Sequence, residues 1–219
     1  MKEIIIIIIA TLFSFNAFCQ TEYFDIVKTK EFKLEYKILD LDIIHSFSFE
    51  NLILVVGHSN DGNEENVGLR LFILNDSSDI LFKSKGQQDS YYFEPQIFQS
   101  RADSSRLIIL SEIGAEYSWG AQIFLIDKNK INHLGYLDVG IIEKPSPDEK
   151  INFNEPSRII KYISITAQND EIKFSFKHGE TLAINPGGEN ERRIKSDKIY
   201  FIYKNNKILE IEKTGCNTQ

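Results

Sequence analysis

The sequence has 219 residues, a formal net charge of −7 and two cysteines. It contains no run of basic residues, which argues against nucleic acid or an anionic membrane surface as the main partner. Its length suits one domain of about 200 residues or a short repeat array with a sizeable core.

The N-terminal segment predicts export. Lys2 precedes an apolar run at residues 4–13, which is shorter than the roughly 20 residues of a membrane-spanning helix. Ala17 and Cys19 supply the small residues of a cleavage site. We therefore predict a signal peptide at residues 1–19 and an exported, periplasmic or extracellular product without a transmembrane segment after cleavage.

The alternative for the same segment is a lipid anchor on Cys19. A lipoprotein peptidase needs a small residue before the modified cysteine, and Phe18 is large. Ordinary cleavage before Gln20 is therefore the preferred prediction. It leaves Cys216 as a single thiol in a polar tail at residues 214–219.

Apolar residues recur with a period near two through most of the chain, which is typical of half-buried strands. Turn-forming Asn, Asp, Ser and Gly residues separate these segments. The pattern predicts no helix of useful length, and residues 143–157, with three prolines, form the best linker candidate. The predicted strands are residues 32–38, 43–49, 52–57, 67–74, 80–84, 93–99, 106–112, 121–127, 131–139, 159–167, 172–176, 199–204 and 207–212.

These strands group into three similar units, each with a phenylalanine in the third strand: Phe72, Phe124 and Phe201. The pattern predicts an all-β fold, an antiparallel meander of about three four-stranded units that resemble the blades of a small β-propeller. A β-sandwich or an open barrel is the alternative. We expect one globular domain, with units one and two in residues 20–142 and the third unit in residues 158–213.

Successive connections of a meander alternate between the two ends of the sheet. The three longer connections, at residues 58–66, 113–120 and 177–197, should therefore lie at the same end of their units. Loops on a rigid β scaffold are where binding residues usually lie. This end is the predicted functional face.

The second of these connections carries the most distinctive residues. Glu116, Tyr117 and Trp119 are adjacent there, and Tyr91-Tyr92-Phe93 is close in sequence. Trp and Tyr are common in binding hot spots, so this loop would contact a protein or a glycan. In the competing interpretation, Trp119 folds back and caps the core.

The remaining candidates are carboxylates and histidines. Glu112 and Glu116 would be the acid and base of a cell-envelope glycan hydrolase, but no catalytic motif accompanies them. His58 and His178 lie on two of the predicted loops and form no metal-ligand spacing. Asp61 and Glu64 are weak calcium candidates, and we otherwise expect no cofactor. The favoured hypothesis is an exported binding module, with the hydrolase and a structural envelope protein as alternatives.

Overall fold

The computed structural model describes residues 21–35, 37–38, 41–59, 62–128, 130–143 and 155–213. The predicted signal peptide, Cys19, Asp61, Cys216 and most of the predicted linker lie outside these residues.

The described residues form an all-β structure, as the period of two predicts. Two 3-10 turns, at Glu64–Asn66 and Ser196–Lys198, are the helical segments among them. None of the described residues forms a helix with the length and hydrophobicity needed to cross a bilayer. The strands are β1 (Glu22–Ile26), β2 (Lys30–Glu31), β3 (Leu41–Phe49), β4 (Leu52–Ser59), β5 (Leu69–Asn75), β6 (Ile80–Lys83), β7 (Tyr92–Ser100), β8 (Leu107–Gly114), β9 (Ser118–Asp127), β10 (Lys130–Leu137), β11 (Val139–Ile142), β12 (Pro156–Ser157), β13 (Ile163–Gln168), β14 (Glu171–Phe176), β15 (Thr181–Ile184), β16 (Arg192–Lys195), β17 (Ile199–Lys204) and β18 (Lys207–Glu212).

The strands form three antiparallel sheets. Their orders are β10-β9-β8-β7-β1-β13-β14-β17-β18, β12-β11-β15-β16 and β2-β3-β4-β5-β6. The predicted units are all present as four-stranded meanders, namely β3–β6, β7–β10 and β13-β14-β17-β18. The second and third are not separate blades, because β1 pairs with both β7 and β13 and joins them into one nine-stranded sheet.

The nine-stranded sheet curls until its edge strands β10 and β18 lie side by side. An ideal Cβ on Gly135 of β10 would lie 3.1 Å from the side chain of Ile208 on β18. The sheet is therefore a nearly closed barrel, in which each edge strand is shielded by the other. Of the predicted architectures, the open barrel describes this sheet best.

Two apolar layers cover the two faces of strands β7–β9. The inner layer fills the barrel and includes residues of β11 and β15, such as Ile141 and Leu182. The outer layer lies against the five-stranded sheet and includes Leu54 and Leu71. Because both faces are covered, every residue of β8 is buried. This explains why β8 reads as an almost continuous apolar run.

Four sequence predictions of strands and loops were wrong in detail. Residues 32–38 alternate in polarity, but the described residues 33–35 and 37–38 form no strand, and Leu34 and Ile38 pack on the outer side of the five-stranded sheet instead. Residues 159–162 form a turn ahead of β13. Residues 177–197 contain β15 and β16, and the 113–120 connection is only a three-residue turn, because β8 runs to Gly114 and β9 starts at Ser118.

Candidate functional site

The predicted gathering of loops is visible as a series of contacts at one end of the molecule. We call this surface the loop end and define it as residues 62–68, 85–91, 114–118 and 185–191.

The first contact of the loop end joins the β4–β5 connection to the segment before β7. The N–H of Gly86 donates to the carbonyl of Glu65 at 2.9 Å, and the N–H of Leu69 donates to that of Gln87 at 3.2 Å. An ideal Cβ on Gly86 would lie 2.1 Å from the carbonyl oxygen of Val67, so only glycine permits this approach.

The second contact joins the same segment to the β8–β9 hairpin. The N–H of Tyr91 donates to the carbonyl of Gly114 at 2.8 Å. The hydroxyl of Ser90 accepts from the N–H of Gly114 at 3.2 Å and donates to the carbonyl of Tyr92 at 2.6 Å. Ser90 is buried, and this network holds the backbone on both sides of Tyr91.

The third contact joins the hairpin to the β15–β16 connection. The phenol oxygen of Tyr117 would lie 2.1 Å from an ideal Cβ on Gly187, whose φ is +75°. Gly187 is therefore required for two reasons, its left-handed backbone and the space that Tyr117 occupies. Segments of all three predicted loops, at residues 62–66, 114–118 and 185–191, thus belong to one connected end of the molecule.

The exposed residues of the loop end combine apolar and acidic side chains. Tyr91 is 77% exposed and Val67 is 46% exposed. The exposed carboxylates of the loop end are Glu64, Glu65, Asp89, Glu116, Glu189 and Glu191. Glu65 forms an ion pair of 3.2 Å with Lys85. The surface therefore has aromatic and aliphatic contact area among charged groups.

Trp119 does not lie in the turn but on β9, where it is partly buried. Its ring packs against the apolar layer between β7–β9 and the five-stranded sheet. Its carbonyl accepts a hydrogen bond from the hydroxyl of Tyr136. This placement agrees with the competing interpretation, in which Trp119 contributes to the core.

Glu112 is also within a strand, and it is only 2% exposed. Its carboxylate accepts hydrogen bonds from the backbone N–H groups of Ile159 and Ile160, the latter at 3.2 Å. Burial raises the pKa of Glu112 to about 7, against the opposing effect of these N–H donors. The carboxyl group therefore serves as an internal acceptor that fixes the turn ahead of β13.

A second carboxylate, Glu94 on β7, lies directly opposite Glu112 in the β7–β8 register. Like charges at such a position repel each other. Arg158 forms an ion pair with Glu94, and its guanidinium lies 4.6 Å from the centre of the Tyr92 ring. Neither pair of glutamates, Glu94 with Glu112 or Glu112 with Glu116, offers two accessible carboxyls, since Glu112 is enclosed.

The remaining predicted residues are exposed and are not brought together by any contact that the structure shows. His58 is the penultimate residue of β4, near the loop end, and His178 precedes β15; both are exposed. Glu64 belongs to the 3-10 turn at Glu64–Asn66, which the side chain of Asn63 caps by accepting from the N–H of Glu65. Within the described part of the chain, no three His, Cys, Asp or Glu side chains form a group that could hold a metal ion.

The sequence pattern favours Trp119 as the contact residue, with Tyr91 as one of three neighbouring aromatics. The structure separates these three side chains. Phe93 is buried in the outer apolar layer, Tyr92 lies under Arg158, and Tyr91 faces solvent. The start of β7 at Tyr92 decides this division, since residues before the strand have no fixed face.

Comparisons with protein-family models, curated proteins and solved structures found no match.

Proposed function

We propose that the protein is an exported interaction module that binds a protein partner through the loop end. The observation that carries this proposal is the 77% exposure of Tyr91 on a backbone that is hydrogen-bonded on both sides. Tyrosine is enriched in interface hot spots because it offers a large contact area with few rotatable bonds.

The loop end would bind with little rearrangement. Backbone hydrogen bonds connect the segment before β7 with the β4–β5 connection and with the β8–β9 hairpin. Ordering of loops is one of the main costs of association, and loops that are already fixed avoid it. Preorganisation therefore supports binding through this surface.

A macromolecular partner suits the composition of the surface. Tyr91 and Val67 provide apolar contact area, and exposed carboxylates surround the same loops. Protein interfaces have this arrangement of an apolar centre with a polar rim. A glycan hydrolase is less well supported, because Glu112 is enclosed and already accepts two backbone N–H donors.

Site-specific photo-cross-linking tests this function. A benzophenone amino acid in place of Tyr91 should cross-link one defined partner in the cells that make the protein. Excess unlabelled wild-type protein should suppress the product, and Y91A protein should not. The control position is Leu81 on β6, which is also exposed and lies outside the loop end. Equal labelling from both positions, or suppression by Y91A protein, would refute the proposal.

Export is a separate part of the proposal and rests on the N-terminal sequence, with Lys2 before the apolar run at residues 4–13. Intact-mass measurement of the protein isolated from its native cells tests it. We expect the mass of a chain that starts at Gln20. A mass that includes residues 1–19, or a lipid-sized increment on Cys19, would contradict this part.

A further inference from the structure

We infer that the outer face of the barrel has a second binding site, which takes a neutral sugar. The site is a cleft of about 240 Å³ across strands β13, β14 and β17. It shares no residue with the loop end, and this inference does not depend on the function proposed for that surface.

Strand register explains how the cleft forms. Thr166 lies opposite Lys173, and Lys173 lies opposite Ile202, so the three side chains form one row across adjacent strands. The residues beside this row point the other way, and Ile165, Phe174 and Phe201 are buried in the barrel core. The row therefore lies on the solvent side of a rigid sheet.

Polar side chains line most of the cleft. Thr166 supplies a hydroxyl that both donates and accepts, Gln168 an amide, Glu171 a carboxylate acceptor and Lys173 three N–H donors. Hydroxyl groups of a sugar are donors and acceptors at once, so they match such a mixed lining. Ile202 is the aliphatic exception and would contact the C–H groups of the ring.

The position of Lys173 is held by a neighbouring ring. Its ammonium nitrogen lies 4.3 Å from the centre of the Tyr200 ring, which also lines the cleft. A cation over an aromatic face is attracted by the ring, which reduces the freedom of the side chain. The ammonium group is thus oriented before a ligand arrives.

Charge and size define the ligand class. The lining contains one cationic and one anionic side chain, Lys173 and Glu171. Lys204, which is not part of the lining, forms an ion pair of 2.5 Å with Glu171. This balance favours a neutral ligand over an anionic one. The volume is below the roughly 300–1,000 Å³ of pockets for drug-sized ligands, so one sugar unit would fill the site.

Titration of the purified protein with free trisaccharides of glucose, galactose, mannose and N-acetylglucosamine tests this inference, with ligand-observed NMR as the readout. We expect at least one to bind below about 10 mM, and T166V to weaken that binding about three- to tenfold, the effect of one hydrogen bond. K173M, which keeps the aliphatic stem, should weaken it similarly. S164A removes a hydroxyl from the same strand outside the lining and should leave the affinity unchanged.

Three results would overturn the inference. The first is that none of the neutral trisaccharides binds at about 10 mM. The second is that T166V and K173M bind as tightly as S164A. The third is that trigalacturonate, an acidic counterpart, binds more tightly than every neutral sugar. Far-UV circular dichroism of each variant would establish that the fold is retained before its affinity is compared.

Discussion

The backbone N–H of Ile160 donates a 3.2 Å hydrogen bond to the carboxylate of Glu112, which lies 48 positions earlier in the chain. The bond joins β8, at the centre of the second meander, to the turn that begins the third. The preceding residue, Ile159, is fully buried in the barrel core, and its backbone N–H donates a hydrogen bond to the same carboxylate. The buried acid thus fixes the relation between the two units.

The stability of the protein should therefore depend on the protonation of Glu112. Its pKa is raised from 4.5 to about 7 by burial, so the folded state binds the proton more tightly than the unfolded state. The stabilising contribution is fully present below pH 4.5 and is lost as the pH rises to about 7. Over this pH range the free energy of unfolding should fall by about 3 kcal/mol, since each pKa unit corresponds to about 1.4 kcal/mol.

Urea denaturation between pH 4.5 and 8 measures this effect as the difference between the wild type and E112Q. The glutamine keeps a carbonyl acceptor for the N–H donors and cannot titrate. We expect the free energy of unfolding of the wild type to fall with pH relative to that of E112Q. E116Q, which changes an exposed glutamate of the hairpin, is the control and should follow the wild type. Parallel curves for wild type and E112Q would show that Glu112 does not titrate in this window.

Trp119 should behave as a core residue. Its ring packs against the outer apolar layer but is not fully enclosed. We expect W119A to lower the free energy of unfolding by about 2–3 kcal/mol, somewhat less than the 3–5 kcal/mol of a fully buried large aromatic. Since this is the only Trp in the chain, its fluorescence reports on it alone. Y91A, at an exposed position, should change stability by less than about 0.5 kcal/mol. Red-shifted, iodide-quenched emission with a negligible stability loss in W119A would contradict this role.

The contact between Tyr117 and Gly187 should be visible as an energetic coupling. In G187A the new Cβ collides with the phenol oxygen of Tyr117, and the alanine must adopt a left-handed backbone conformation. We therefore expect the free energy of unfolding to fall by about 1–3 kcal/mol. In the Y117F background the oxygen is absent, and the same substitution should cost less. A double-mutant cycle measures the difference, which for residues in contact is about 0.5–3 kcal/mol. Additive effects would contradict a contact between the Tyr117 hydroxyl and residue 187.

Local patterns predicted the strands better than they predicted sheet membership. Asn205 and Asn206 both adopt positive φ and form the expected hairpin turn, because the requirement is local. The role of β1 could not be predicted in this way, since five residues carry no signal that they pair with β7 on one side and β13 on the other. Leu34 and Ile38 show the converse: they follow the alternating pattern but pack on the surface of a sheet.

For the candidate site, too, the sequence predicted one feature, the position of the loops, and not another, the exposure of the aromatic side chains. The alternating connections of a meander predicted that three loops would share one end, and the contacts of Gly86, Gly114 and Gly187 agree with this. The positions at which β7 and β9 begin determine which aromatic side chain is exposed. Because β9 begins at Ser118, Trp119 lies within a strand and faces the apolar layer. Because β7 begins at Tyr92, Tyr91 remains outside the strand.

The affinity of the loop end for the partner captured at Tyr91 tests the central claim most directly. Isothermal titration of that purified partner should give a dissociation constant that rises at least about 30-fold in Y91A, the effect of losing a hot-spot residue of about 2 kcal/mol. L81A, on the exposed side of β6, should bind like the wild type. A Y91A protein that keeps the wild-type affinity would contradict the assignment of the loop end as the interaction surface.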